Sequence, residues 1–181
     1  MSDPNPVRVL GFAGSLRRAS LNRALLRAAV ELAPPGMTLI TFDLADVPLY
    51  NGDVELGGDP PGVAAFKQAI READAVLMVT PEYNHGVPGV MKNALDWLVP
   101  SVEFPGKPVA LINASPQAHH AQAHLRETLT IMSAQLIEAA SVSVPLQGRG
   151  LSVEAIVEDA QLAEALRGVL GELAAAARAA G

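Results

Sequence analysis

The feature that most constrains the fold is a regular alternation of short apolar runs with segments of helical periodicity. These runs contain few polar residues, which is typical of strands buried on both faces of a sheet. Strands that alternate with helices favour a parallel sheet covered by helices on both sides. We assign five strands: Val7 to Ala13, Met37 to Phe42, Ala75 to Thr80, Val109 to Ala114 and Ser141 to Val144.

Five helical segments follow these strands. The first begins after Ser20, a suitable N-cap, and ends at the "APPG" of residues 33–36. Five strand–helix units in 181 residues predict one domain, residues 1–181, with a flavodoxin-like doubly wound five-stranded parallel sheet. A (β/α)₈ barrel would need more chain. The other helices are predicted over Val63 to Ala73, Gly89 to Leu98, His119 to Leu136 and Val153 to Ala180, and Pro88 marks the start of the helix over Gly89 to Leu98.

Charge and composition exclude several classes of function. The net charge is −6, and the thirteen Lys and Arg residues form no dense run, so we expect no nucleic-acid partner. Without cysteine, the chain has no disulfide, no thiol nucleophile and no thiolate metal site. The start "MSDPNPVRVLG" lacks the pattern of a secretory signal, and no apolar run reaches membrane-spanning length, so we expect a cytoplasmic protein without a membrane partner.

Hydrophobicity favours self-association. Hydrophobic residues make up 50% of the chain, and the mean hydropathy is +0.25. A small monomer rarely hides that much apolar surface. We therefore expect a homo-oligomer.

Two polar, glycine-bearing loops follow the first and third strands. In a doubly wound sheet of this type the ligand crevice lies between the carboxyl ends of those two strands. The loops Gly14 to Asn22 and Pro81 to Val87 are therefore expected to meet at a binding site.

The first of these loops has the character of a phosphate site. Gly14 permits a tight turn, the amides at the start of the next helix face an anion, and four side chains add donors. Arg18 and Arg23 are interpreted as solvated or partner-facing charges. An alternative is a serine-capped helix with solvated arginines. The four donors are Ser15, Arg17, Ser20 and Asn22.

Dinucleotide binding is the less favoured interpretation of this region. The "GFAGS" of residues 11–15 lacks the G-x-G-x-x-G fingerprint. Asp43 could hold a ribose, but a turn residue satisfied by backbone amides is the better interpretation. One cluster of donors favours a mononucleotide.

Three other residue patterns give little indication of a metal site, a nucleophile or a cofactor contact. His120 and His124 lie four residues apart with Glu127 nearby, but without an H-E-x-x-H motif a solvated helix face is favoured and no metal site is expected. Ser115 lacks an Asp-His pattern that would make it a nucleophile. Trp97 is interpreted as a core or interface anchor.

Two longer segments resemble the signatures of one family. The segments "GSLRRASLNRAL" (14–25) and "TPEYNHGVPGVMKNALDWL" (80–98) resemble those of the NAD(P)H-dependent FMN reductases, which include quinone, azo and chromate reductases. "DLADVPLYNGD" (43–53) is similar to that family's loop after the second strand, and the "LR" of "AHLRETL" also matches. The resemblance covers about the first 140 residues in collinear order.

This resemblance implies a flavodoxin-like fold, noncovalent FMN and a dimer or tetramer. It implies that the four donors of the first loop hold the FMN phosphate. Ser115 would line the flavin. The residues that would border the isoalloxazine, largely through backbone groups, are Pro81, Glu82, Tyr83 and Asn84. Where relatives often carry glycines after that serine, this chain has "PQAHH" (116–120). His85 lies at a position that varies in the family and is a candidate substrate contact; the alternative is a solvated loop histidine.

The function implied is two-electron reduction in a ping-pong scheme. NADH or NADPH would deliver hydride to the flavin, and a quinone, free flavin, azo compound or metal oxyanion would then accept the electrons. Backbone N–H groups of residues 81–84 would stabilise charge on the reduced flavin, so no catalytic side chain is expected. Two alternatives stay open: a flavodoxin-like electron carrier that does not turn over nicotinamide, and an FMN-dependent regulator or scaffold.

Overall fold

Five parallel strands form one sheet in the computed structural model, which describes residues 6–146 and 152–181. Residues 1–5, part of the segment considered for a secretory signal, lie outside the described residues. The strands are β1 (Val7–Ala13), β2 (Met37–Phe42), β3 (Ala75–Val79), β4 (Pro108–Ile112) and β5 (Gln135–Leu136). Their spatial order, β2-β1-β3-β4-β5, confirms the doubly wound α/β prediction.

Seven α-helices are found within the described ranges. They are α1 (Leu21–Glu31), α2 (Gly52–Leu56), α3 (Pro61–Glu72), α4 (Gly89–Leu98), α5 (His119–Ile131), α6 (Val153–Glu158) and α7 (Ala160–Ala180). As predicted, α1 follows Ser20 and α4 follows Pro88. In the described part of the chain, no helix combines the length and the apolarity needed to span a bilayer.

Alternate strand residues separate the core into two layers. On β3, Leu77 packs with α1, α6 and α7, whereas Met78 packs with α3, α4 and α5. All five residues of β3 and of β4 are buried, because helices cover both faces of the sheet. Trp97 lies in the second layer, fully buried, and its indole N–H donates to the Pro48 carbonyl at 2.8 Å. It is a core anchor, in agreement with one of its two interpretations.

The predicted end of α5 is wrong. The helix stops at Ile131 and does not reach Leu136, because Ser133 adopts a left-handed φ of 58°. The N–H of Ser133 bonds to the Thr130 carbonyl and that of Ala134 to the Leu129 carbonyl, both at 3.0 Å. These are the two bonds of a Schellman motif, a helix ending that usually carries glycine at this position.

The predicted fifth strand, Ser141 to Val144, is also wrong. Pairing with β4 begins earlier, at Gln135–Leu136, and a 3₁₀ turn over Glu138–Ala140 then interrupts it. Only an isolated bridge between Ser143 and Asn113 remains of the predicted strand. The segment nevertheless runs beside β4, since the Val144 N–H donates to the Asn113 carbonyl at 2.8 Å.

The long C-terminal helix is divided at Asp159. Its carboxylate accepts bonds from the N–H groups of Gln161 and Leu162, so α7 has its own N-cap and α6 is a separate helix. The segment between β2 and α3 contains the short helix α2. The start of α3 packs closely against Asp46, since a Cβ on Gly62 would lie 1.9 Å from the Asp46 carbonyl oxygen.

Candidate functional site

Three loops meet at the carboxyl edge of the sheet. We call them the β1 loop (residues 14–20), the β3 loop (residues 80–88) and the β4 loop (residues 113–118). The backbone turns away from the sheet at Gly14, where a Cβ would lie 2.3 Å from the Thr80 hydroxyl oxygen. The β1 and β3 loops are therefore packed against each other, which confirms that the two loops meet.

Two side chains of the predicted phosphate set tie these loops together. The Ser15 hydroxyl is buried and lies 3.1 Å from the Tyr83 hydroxyl, joining the β1 loop to the β3 loop. The buried Asn22 carboxamide oxygen accepts a bond from the Ala114 N–H at 3.1 Å, joining α1 to the β4 loop. Because the amide oxygen of Asn22 already accepts this bond, its NH₂ group is the part of the side chain that can donate to a ligand.

The other two members of that set have side chains without partners. Arg17 is exposed, and its guanidinium has no ion-pair or hydrogen-bond partner in the described ranges 6–146 and 152–181. Ser20 precedes α1 as its N-cap, yet its side chain makes no capping hydrogen bond. The first N–H groups of a helix lack intrahelical partners, so these groups together form a donor set suited to an anion.

The interpretation of Asp43 as a turn residue is confirmed. Its carboxylate accepts a bond from the Ala45 N–H at 3.1 Å, and this bond, aided by Arg23, lowers the pKa of Asp43. Arg23 forms an ion pair with Asp43 at 3.0 Å. Arg23 is thus a partly exposed charge that is paired within the chain, where the end of β2 adjoins the start of α1.

A tight turn forms the tip of the β3 loop. Tyr83 and Gly86 exchange both backbone hydrogen bonds, at 3.1 and 2.9 Å. The two central residues, Asn84 and His85, have φ values of 50° and 57°, the positive range that a type I′ turn requires. The side chains of Tyr83, Asn84 and His85 are exposed at the rim of the site.

Glu82 connects the β3 loop to the start of α5. Ala118, the N-cap of α5, makes no side-chain capping bond; instead the Glu82 carboxylate accepts from the Ala121 N–H at 2.9 Å. This bond, with smaller contributions from His120 and His85, lowers the pKa of Glu82. In the segment without glycines, "PQAHH", residues 116–118 thus form a turn, and the two histidines begin α5, which is capped from another loop.

The β3 loop, the β4 loop and the start of α1 line an open cavity of about 280 Å³. Asn113 and Gln117 were missed by the sequence analysis; the folding of the β4 loop brings them here. Four of the predicted residues line it together, whereas Arg17 and Ser20 precede α1, and Ser20 lines a separate cavity of about 460 Å³ with Arg18 and Arg27. The lining comprises Asn22, Pro81, Glu82, Asn113, Ala114, Ser115, Gln117 and Ala118. A polar cavity beside uncommitted phosphate donors fits a phosphate-bearing cofactor such as FMN.

His120 has different neighbours from those expected. Its ring stacks on that of His85, with centroids 4.4 Å apart and planes inclined by 20°. Glu82, His85 and His120 each offer one ligand atom, and these atoms all lie within 4.8 Å of one another. This cluster was not predicted, because Glu82 and His85 come from the β3 loop and His120 from the start of α5. The adjacency of β3 and β4 is the signal that could have found it.

Comparisons with known proteins agree with this geometry. The family model for NADPH-dependent FMN reductases matches residues 7–148. An NAD(P)H-dependent FMN reductase of Pseudomonas aeruginosa is 43% identical over 167 residues, which is 86% of this chain and 89% of the relative. The quinone reductase of Escherichia coli is 39% identical over 138 residues, 72% of this chain and 73% of the relative.

Solved structures of flavoproteins have the same fold as this chain. FerB of Paracoccus denitrificans, a flavoenzyme NAD(P)H:(acceptor) oxidoreductase, superposes with a TM-score of 0.86 at 30% identity. The match covers 97% of this chain and 99% of FerB. An archaeal flavodoxin, with a TM-score of 0.61 at 11% identity, shares the fold. The resemblance noted in the sequence is thereby confirmed, and the chain belongs to the NADPH-dependent FMN reductase family.

Proposed function

We propose that this chain is an NAD(P)H-dependent flavoprotein oxidoreductase that uses bound FMN to reduce quinones, free flavin or similar small acceptors. Its family and the quinone reductase among its relatives support this reaction. The observation that carries the proposal is the pair of unpartnered donors Arg17 and Ser20 just before α1, the helix whose Asn22 lines the polar cavity.

The chain's own residues would bind and orient the cofactor. Arg17, Ser20 and the NH₂ group of Asn22 would hold the phosphate, and Pro81, Glu82 and Ser115 would line the cavity. When bound, FMN supplies the redox chemistry, taking hydride from NAD(P)H and passing two electrons to the acceptor in a ping-pong cycle. The exposed His85 at the rim would contact the acceptor.

Backbone N–H groups of the β3 loop would balance negative charge at the cofactor. Pro81 has no N–H, and that of Tyr83 is used in the turn with Gly86. The N–H groups of Glu82 and Asn84 are left for this role. Because these dipoles are fixed by the turn, they need no titrating side chain.

The experiment that tests the function is a visible absorption spectrum of the protein titrated with FMN and then mixed with NADPH without oxygen. We expect a protein-bound flavin spectrum that loses its absorbance on addition of NADPH or NADH, and regains it on addition of a benzoquinone. Failure of FMN to bind would contradict the proposal. Binding without reduction by either nicotinamide would support the flavodoxin-like carrier instead.

We propose, in addition, that copies of this chain associate through an apolar surface next to α4. Tyr50 packs edge-on against Trp97, with ring centroids 5.0 Å apart, so the segment after β2 adjoins α4. Four apolar side chains on these two segments are strongly exposed: Leu49, Leu56, Val99 and Val102. Burial against a second copy would remove this surface from water.

Light scattering on a sizing column tests this association. We expect a mass of two or four chains for the unaltered protein and of fewer chains for Leu56→Asp. A single-chain mass for the unaltered protein would contradict the proposal. The expected cytoplasmic location stays a prediction from the sequence.

A further inference from the structure

We propose that Glu82, His85 and His120 form a binding site at the rim of the cavity for a divalent metal ion that accepts imidazole ligands, such as Zn²⁺. The expectation of no metal site considered His120 only with His124 and Glu127. The fold instead places His120 beside two residues of the β3 loop. Nothing in the proposed reductase chemistry requires this ion.

The separation of the ligand atoms is close to that of a metal site. The ligand atoms of the three residues lie within 4.8 Å of one another. At zinc–ligand distances of roughly 2.0–2.2 Å and tetrahedral angles, neighbouring ligand atoms are about 3.3 Å apart. The cluster therefore needs a contraction of only about 1.5 Å, which side-chain rotation can supply.

One of the three residues is fixed and another is able to move. The Glu82 carboxylate is held by the Ala121 N–H at 2.9 Å. His85 lies exposed at the tip of the turn. The near-parallel rings of His85 and His120 cannot both direct a lone pair at one ion, because the ion lies in the plane of each ring that binds it. Rotation of the exposed His85 ring would remove that obstacle.

The ligand types indicate which metal would bind. Two imidazole nitrogens and one carboxylate oxygen suit Zn²⁺, Ni²⁺ or Cu²⁺, whereas Mg²⁺ and Ca²⁺ prefer oxygen ligands alone. The carboxylate supplies the negative charge that neutral imidazoles lack. Three protein ligands leave a fourth position open to water or to another ligand, as in catalytic zinc sites. Such an ion would join the β3 loop to α5 at the edge of the proposed flavin cavity.

Calorimetric titration of the FMN-saturated protein with Zn²⁺ at neutral pH tests the site. We expect one ion per chain, with binding at least about tenfold weaker in His85→Gln and in His120→Gln, since even the loss of an outer-shell partner costs that much. His124→Gln is the matched control: it removes an exposed histidine one helical turn beyond His120 and should leave the affinity unchanged.

Three outcomes would overturn the proposal: no zinc binding, unchanged binding in both test variants, or an equal loss in His124→Gln. Melting curves without metal establish that each variant is folded. The FMN titration is a separate measurement, so failure of the zinc site leaves the proposed reductase function standing. Repeating the zinc titration without FMN separates failure of the cofactor assignment from failure of the metal site.

Discussion

The side-chain oxygen of Asn22 accepts a buried hydrogen bond from the backbone N–H of Ala114, 3.1 Å away and ninety-two positions later in the chain. This bond joins the start of α1 to the β4 loop, two walls of the cavity. The same side chain would present its NH₂ group to the cofactor phosphate. Structural and binding roles are therefore combined in one residue and can be separated by mutation.

Asn22→Asp should weaken FMN binding while largely preserving stability. The carboxylate still accepts from Ala114, but it removes the NH₂ donor and places a negative charge near the phosphate. Asn22→Ala should also lower the free energy of unfolding, by about 1–3 kcal/mol, because the Ala114 N–H is left buried without a partner. FMN titration and urea unfolding of both variants check this. Equal FMN affinity in Asn22→Asp would exclude Asn22 from the phosphate site.

Arg17→Ala should weaken FMN binding by about 1–3 kcal/mol, roughly fivefold to 150-fold, through loss of a charge-assisted hydrogen bond. Arg18→Ala is the matched control, because it removes the adjacent exposed guanidinium and the same charge. Dissociation constants from fluorescence quenching of FMN measure both. If the two variants weaken binding equally, Arg17 acts only through long-range charge.

Protonation of Glu103 should lower the free energy of unfolding at acidic pH. The Ser101 hydroxyl and the Arg71 guanidinium donate to its carboxylate and lower its pKa from 4.5 to about 2. A lowered pKa stabilises the folded state above the unfolded value, so this contribution is complete above pH 4.5 and is lost as the pH falls toward 2.

Urea unfolding of Glu103→Gln over this pH range checks the effect. We expect the variant to be less stable than the unaltered protein at neutral pH, with the difference shrinking as the pH falls from 4.5 toward 2. Glu164→Gln, which changes an exposed glutamate of α7, serves as the control and should show no such trend. A difference that stays constant with pH would exclude the ionised carboxylate as its cause.

Gly62→Ala should destabilise the fold by about 1–3 kcal/mol, the usual effect of overpacking. The added Cβ would lie 1.9 Å from the Asp46 carbonyl oxygen, and backbone at that place cannot move as a side chain can. Gly168→Ala, in the open middle of α7, should instead stabilise by about 0.5–1 kcal/mol. Melting temperatures of the two variants, moving in opposite directions, would confirm both expectations.

The sequence was most informative where one local pattern determined the structure. The apolar runs located β1 to β4 because strands covered on both faces need apolar residues throughout. Ser20 and Pro88 located the starts of α1 and α4 through the chemistry of helix ends.

The predicted boundaries were wrong where a residue adopts a backbone conformation that is unusual for its type. Ser133 ends α5 in a conformation that favours glycine, so the helical pattern continued in the sequence past the true end. The missed end then shifted β5, since Gln135 and Leu136 had been assigned to the helix.

The sequence predicted which loops form the site, but not the side-chain contacts between those loops. Topology alone placed the β1 and β3 loops together, and four predicted residues line one cavity. The bond from Ala121 to Glu82 and the stacking of His85 on His120 join residues far apart in the chain. Such pairs depend on the register and turns of the folded chain, which no local pattern encodes.

The interruption of β5 has a consequence for how this protein avoids misassembly. An outer strand of only two paired residues, followed by a 3₁₀ turn, presents few regularly spaced backbone groups to a foreign chain. Such short, broken edges are poor templates for the strand-to-strand growth that leads to aggregates. Extension of the sheet across that border into a neighbouring molecule is therefore disfavoured, and association of copies would instead use side-chain surfaces.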